Sequence, residues 1–173
     1  DFNSGAYLIG KCFPQIHVYI DGRTEMYGPD FFEAYRKLLA EDARPFEAIA
    51  KRYNLKAAVF SGVYHPISNQ LVQYLYKSKS WKLVYFDPFG VIFLKDLPEN
   101  KKIIEKFAID LTNWAPPATD LKRMGTASAY PFPNINRAYV LESLNLDQAV
   151  IKEAQAALKI MPNCGSAFKF LGR

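Results

Sequence analysis

Two short apolar runs, IHVYID at 16–21 and LKAAVF at 55–60, constrain this chain most. About 35 residues with helical patterning separate them, which is too long and too helical for a hairpin. A connection of that kind is a crossover, so the two runs are expected to be neighbouring parallel strands. The second is apolar throughout after Lys56, as a strand covered on both faces should be.

The intervening and following residues supply helices. NSGAYLIGKC at 3–12 reads as a short helix capped by Asn3 or Ser4 and stopped by Pro14. Gly28-Pro29-Asp30 opens a second, in which Phe31, Phe32, Tyr35, Leu38 and Leu39 recur with helical period. A third is expected over about 44–53, a fourth over about 67–78 and a fifth over about 98–111. KLVYF at 82–86 and VIFLK at 91–95 flank Asp87-Pro88-Phe89-Gly90, the pattern of a hairpin. The expected fold class is therefore α/β. It has a small mixed sheet of about four strands, with the first two parallel and the last two a hairpin, and flanking helices.

Residues 112–133 change character, being rich in Pro, Ala, Ser and Thr and weakly periodic. They suggest an α/β domain over 1–112, a linker over 113–130 and a separate unit over 131–173. In that unit Ala138, Leu141, Val150, Ala154, Ala157 and Pro162 fall at the spacings of a tetratricopeptide repeat, and Phe168 and Gly172 begin the next copy. Small residues there let helices approach closely. The alternative is an ordinary helical hairpin. A lone repeat does not bury its own face, so either the repeat continues or the pair docks elsewhere. The chain starts at Asp1 and stops within a helical pattern, and it reads as a fragment of a longer protein.

Half the residues are hydrophobic, which is enough for a packed core. No stretch reaches the ~20 apolar residues needed to span a bilayer, and none has the layout of a signal peptide. Net charge is +5, with its lysines and arginines scattered; no aromatic-basic pattern or zinc-finger spacing points to nucleic acid. Anionic lipid headgroups remain a candidate contact. Cys12 and Cys164 are isolated and the two histidines stand apart, so neither a metal set nor a disulfide is expected. No glycine-rich phosphate loop and no nucleophile elbow occurs, so no cofactor is expected.

The polar residues worth testing cluster at two expected strand ends. Asp21, Arg23, Glu25 and Tyr27 follow the first run, and Ser61, Tyr64 and His65 follow the second. Parallel strands would bring both sets to one crevice, where Arg23 binds a phosphate or carboxylate and Asp21 or His65 serves as acid or base. The competing reading is an Asp–Arg turn that satisfies itself and holds the following helix.

GAYLIGKCFPQIHVYIDGRTEMYG at 5–28 resembles the pattern G-G-Y-L-I-W…P…V-F-I-D-G-R-x-D-M-Y-G. The F-x-x-Y helix after it, RYNLKAAVF at 52–60 and WKLVYFD at 81–87 fit the same scheme. The stretch is similar to the C-terminal region of bacterial polytopic membrane proteins like the GT-C glycosyltransferases, the class of protein mannosyltransferases and oligosaccharyltransferases. Some of those chains also carry tetratricopeptide repeats. The resemblance covers roughly 1–96. It implies membrane spans upstream of Asp1, a position on the extracytoplasmic side of a bacterial membrane, and sugar transfer from a polyprenyl phosphate by acids outside this chain. Asp21, Gly22, Arg23, Glu25, Tyr27 and Gly28 become signature positions, with Glu25 in place of an aspartate and Gly5-Ala6-Tyr7 in place of Gly-Gly-Tyr.

The leading expectation is a non-catalytic accessory domain that binds a peptide, glycan or protein partner, a protein or peptide through its helical repeat. The alternative is a transferase acting on a phosphorylated or sugar substrate at the strand-end crevice. A purely structural spacer is the third reading.

Overall fold

The computed structural model describes residues 1–62, 69–118 and 130–172. The described chain divides into two compact units, one of residues 1–86 and 90–109, the other of residues 87–89 and 110–173. No helix among the described residues is long and apolar enough to cross a membrane.

The first unit holds helices α1 (Phe2–Cys12), α2 (Pro29–Ala40), α3 (Phe46–Arg52), α4 (Asn69–Lys77) and α5 (Lys101–Phe107). Its strands are β1 (Ala57–Ser61), β2 (Trp81–Phe86) and β3 (Gly90–Lys95). The sheet order is β1-β3-β2 and both pairings are antiparallel. This corrects the expected mixed sheet of four strands: among the described residues three strands are present, no pair is parallel, and residues 16–21 form no strand.

The reason lies in what each apolar run packs against. Residues 16–21 carry no regular secondary structure, with a bend at Tyr19, and form no ladder with the described strands. The main chain at Ile20 instead lies so close to α1 that a Cβ on Gly5 would stand 1.9 Å from the Ile20 carbonyl oxygen. Ile20 and Asp21 are buried while Ile16 is exposed, so the run does not show the alternation of a paired strand. The place beside β1 is taken by the start of α1. The Asp1 main-chain nitrogen donates to the Val59 carbonyl at 2.5 Å, and Ser61 N–H donates to the Asp1 carboxylate. Asp1, rather than Asn3 or Ser4, caps α1, its carboxylate accepting Ser4 N–H at 2.9 Å.

β1 is also not covered on both faces. Ala58 and Phe60 are buried, whereas Ala57 and Ser61 are exposed. Small apolar residues on the open face made a half-buried strand look like a core strand. β3 centres the sheet, with Val91 and Phe93 on the buried face, and Gly90 sits where a Cβ would come within 2.5 Å of the Phe60 carbonyl oxygen. Leu71, Val72 and Leu75 of α4 and Phe46 of α3 are buried as well, and α4 packs against β2. Trp81 binds α3 to the sheet: its ring lies 5.4 Å from that of Phe46, and its indole N–H donates to Glu47 at 2.8 Å. Lys95 reaches the other Glu47 oxygen at 3.4 Å. The helix expected over 98–111 is a short 3-10 turn followed by α5. It stops at Phe107 because Ala108 turns extended and Ile109 N–H bonds the Leu83 carbonyl at 2.8 Å.

The second unit is built from α6 (Phe132–Ser143), α7 (Asp147–Ile160) and α8 (Gly165–Leu171). Asn145, at φ 58°, ends α6 in the left-handed conformation that asparagine tolerates, and Leu146 N–H returns to the Leu141 carbonyl. The three-residue connection makes α6 and α7 antiparallel neighbours. Ala138, Ala154, Ala157 and Ala167 are wholly buried, so side chains of one carbon set how closely these helices pack.

Gly5→Ala separates two physical effects of opposite sign. Helix propensity alone would make alanine more stable by roughly 1 kcal/mol. The clash with Ile20 is expected to outweigh it and to destabilise the chain by about 1–3 kcal/mol in urea unfolding. A variant more stable than the wild type would mean that residues 16–21 do not lie against α1.

Candidate functional site

Asp21 is 2 % exposed, and its carboxylate accepts four hydrogen bonds. Arg23 supplies three: Nε to Oδ1 at 2.9 Å, a terminal nitrogen to Oδ2 at 2.7 Å, and its main-chain N–H to Oδ1 at 2.9 Å. Tyr27 O–H donates to Oδ2 at 3.1 Å. The turn is local because Asp21, two residues before Arg23, accepts from both the amide and the guanidinium of Arg23.

This arrangement sets the protonation of its members. Hydrogen bonding to the Arg23 side chain holds the Asp21 carboxyl well below the usual carboxylate range. Burial opposes that shift, and the Arg23 amide and Tyr27 reinforce it. The same bonds push the Arg23 guanidinium up, and burial pushes the Tyr27 phenol up. Asp21 is thus a poor general base, being a weak proton acceptor with its lone pairs engaged. Tyr27 carries the turn into an aromatic cluster: its ring stacks on Phe31 at 4.9 Å and meets Phe32 edge-on at 5.8 Å. Tyr19 continues the cluster between Phe31 and Tyr53.

The other expected site residues are placed differently. Glu25 is exposed on the 3-10 turn Thr24–Met26, where its charge adds to the upward shift of Arg23. Ser61 lies at the end of β1 and is engaged by Asp1, through its amide and through Oγ at 3.4 Å. No hydrogen bond or ion pair joins it to Asp21, Arg23, Glu25 or Tyr27 among the described residues. Tyr64 and His65 lie outside the described residues. Since 16–21 is no strand and the sheet holds no parallel pair, the crevice between two parallel strand ends is not formed. Gly22 has an ordinary backbone, and a Cβ there would meet Ala6 at 3.7 Å, so the turn owes its shape to Asp21 rather than to glycine. Cys12 and Cys164 are both free thiols.

A second polar cluster, in the second unit, is absent from the expectations. Glu153 of α7 is fully buried and accepts four hydrogen bonds. Arg137 of α6 binds both oxygens, at 2.6 and 3.0 Å, Asn134 of α6 donates at 2.8 Å, and the Trp114 indole N–H donates at 2.8 Å. The signal was present in the sequence. Val150, Glu153, Ala154 and Ala157 form one helical stripe, so Glu153 falls on the face that the small residues mark as inward. Its partner Arg137 stands one position before Ala138 on the facing helix.

Cavities lie in both units. One of about 590 Å³ in the first unit is lined by Pro29, Phe32, Tyr35 and Leu39 of α2. Its charged margin is occupied, Arg36 being paired with Glu33 at 3.0 Å and Glu41 at 2.8 Å. One of about 420 Å³ in the second unit lies between Pro116–Ala118 and α7.

No family model, no curated protein and no solved structure matches this chain.

Two outcomes test the clusters. The stability that Asp21 contributes is complete above its ordinary value of 3.8 and is lost as pH falls through the depressed value of the folded chain. Asp21→Asn is therefore expected to lose less thermal stability than the wild type between about pH 5 and pH 2; parallel curves would contradict the pairing. In the second unit, Glu153→Ala strands the Arg137 charge and is expected to cost about 3–5 kcal/mol. Arg137→Met with Glu153→Leu removes both charges and is expected to recover most of that loss in chemical unfolding.

Proposed function

We propose that this chain is a non-catalytic binding module that recognises an extended protein segment through the helices of its second unit. The observation that carries the reading is the state of the one acid best placed for chemistry: among the described residues, every hydrogen bond that Asp21 accepts comes from its own turn. A carboxylate held in that way positions a helix and does not move protons. The pairing of helices in the second unit supports the binding half of the reading, since stacked helical pairs present continuous peptide-binding surfaces. Exposed Phe132, Phe168 and Leu171 add apolar area on those helices.

In the setting that the resemblance implies, the module is an extracytoplasmic accessory part of a membrane-embedded, glycosyltransferase-like protein. The second unit serves as a tetratricopeptide-like arm that positions a protein partner near that enzyme.

A paired measurement tests this reading. The purified chain is screened against an array of extended peptides and, separately, incubated with a polyprenyl-phosphate sugar and acceptor peptides. The expected result is saturable binding of a subset of peptides that shifts the amide resonances of α6, α7 and α8, with no sugar transfer. Transfer that Asp21→Asn abolishes at an unchanged melting temperature would replace this reading with a catalytic one.

A further inference from the structure

Three of the four donors around Glu153 belong to α6: two nitrogens of Arg137 and the amide of Asn134. The fourth, the Trp114 indole N–H, comes from a segment 39 residues earlier in the chain. The helical pair thus holds a buried carboxylate and leaves one acceptor position for a donor from outside the pair. A buried ion pair adds little stability over packed apolar residues of similar volume.

The segment is also held by its main chain. Lys152 of α7 donates to the Trp114 carbonyl at 3.1 Å. Upstream, Leu111 is fully buried, and Trp114 N–H bonds the Leu111 carbonyl at 3.1 Å. Asp110 steadies that turn by accepting Thr112 N–H at 2.9 Å and Thr112 O–H at 2.7 Å. Downstream, Pro116 and Pro117 restrict the chain to extended conformations, and the cavity of about 420 Å³ opens between them and Lys152, Gln155 and Lys159 of α7. One contact reads an indole and another holds a carbonyl, which is how a surface recognises an extended peptide.

We propose that the α6–α7 pair is a receptor for an extended peptide bearing tryptophan followed by prolines, that the chain's own Thr112–Ala118 fills it in cis, and that such a peptide enters in trans when Trp114 is withdrawn. This rests on the binding-module reading and names the ligand and its internal competitor. A tethered segment acts at an effective concentration in the millimolar range, so the cis form excludes weaker outside ligands.

The test uses the full chain as Trp114→Ala and as Trp114→Phe, the second keeping an aromatic ring and losing the N–H. The probes are the acetylated peptide of residues 110–118, DLTNWAPPA, and its control DLTNAAPPA. Calorimetry is expected to show binding of the first peptide to both variants, at least about tenfold tighter than the control, because an indole bond to a charged acceptor is at stake. The wild type is expected to show far weaker binding. In wild-type chain carrying 5-fluorotryptophan, millimolar peptide is expected to move the Trp114 fluorine resonance to its solvent-exposed position. Folded variants that bind neither peptide, or both equally, overturn the proposal. If neither variant folds, the fluorine resonance decides alone, and its failure to move overturns it. Array binding that survives such a result leaves the module reading standing, whereas an array silent with wild type and variants alike removes that reading too.

Discussion

A carboxylate taken out of water must recover its hydrogen bonds inside the protein, and each unit of this chain is organised around one that has. In the first unit it is Asp21, in the second Glu153. Each accepts four hydrogen bonds, and each is bound by an arginine through both oxygens. The arginine geometry is the common element, because a planar guanidinium presents two parallel donors to a planar acid. An unpaired charge at either place would cost far more than the surrounding apolar contacts return.

The two pairs differ in what they connect. Asp21 draws on Arg23 and Tyr27, all within six residues, and so fixes a turn. Through the Tyr27 ring that turn sets the aromatic cluster at the start of α2, where Phe31 and Phe32 meet Tyr19 and Phe2. Glu153 draws on α6 and on the segment at Trp114, and so joins three stretches of chain distant in sequence. The first pair makes Asp21 a poor general base. The second ties the helical pair to the chain's own segment at Trp114.

How much was legible follows from the same distinction. The Asp–Arg turn was readable because its partners are sequence neighbours, and the sequence already offered a self-satisfied turn as one reading of Asp21. The hairpin of β2 and β3 was readable for the same reason, since only Asp87-Pro88-Phe89 joins the two strands. The helices at 2–12 and 29–40 follow from period and from Pro29 at a first-turn position. The parallel pair failed because an apolar β-branched run states only that residues 16–21 are extended and partly buried. Whether such a run pairs or lies against a helix depends on what occupies the edge of β1, and Asp1 at the start of α1 occupies it. Ser61 is instead engaged by Asp1. Glu153 was half legible: its stripe of small residues placed it inward, but nothing in the spacing named Arg137, Asn134 and Trp114 together.

The sequence by itself determined local events: that helices form over most of 2–12 and 29–40, that two apolar runs fold back as a hairpin, and that Asp21 has an arginine two residues away to bind it. These follow from backbone preferences and from side chains that reach only a few residues. The tertiary structure alone decided which extended run joins the sheet, which way the strands run, and which residues surround Glu153. Those outcomes depend on competition among surfaces far apart in the chain, and the winner is the arrangement that leaves no buried edge or charge without a partner.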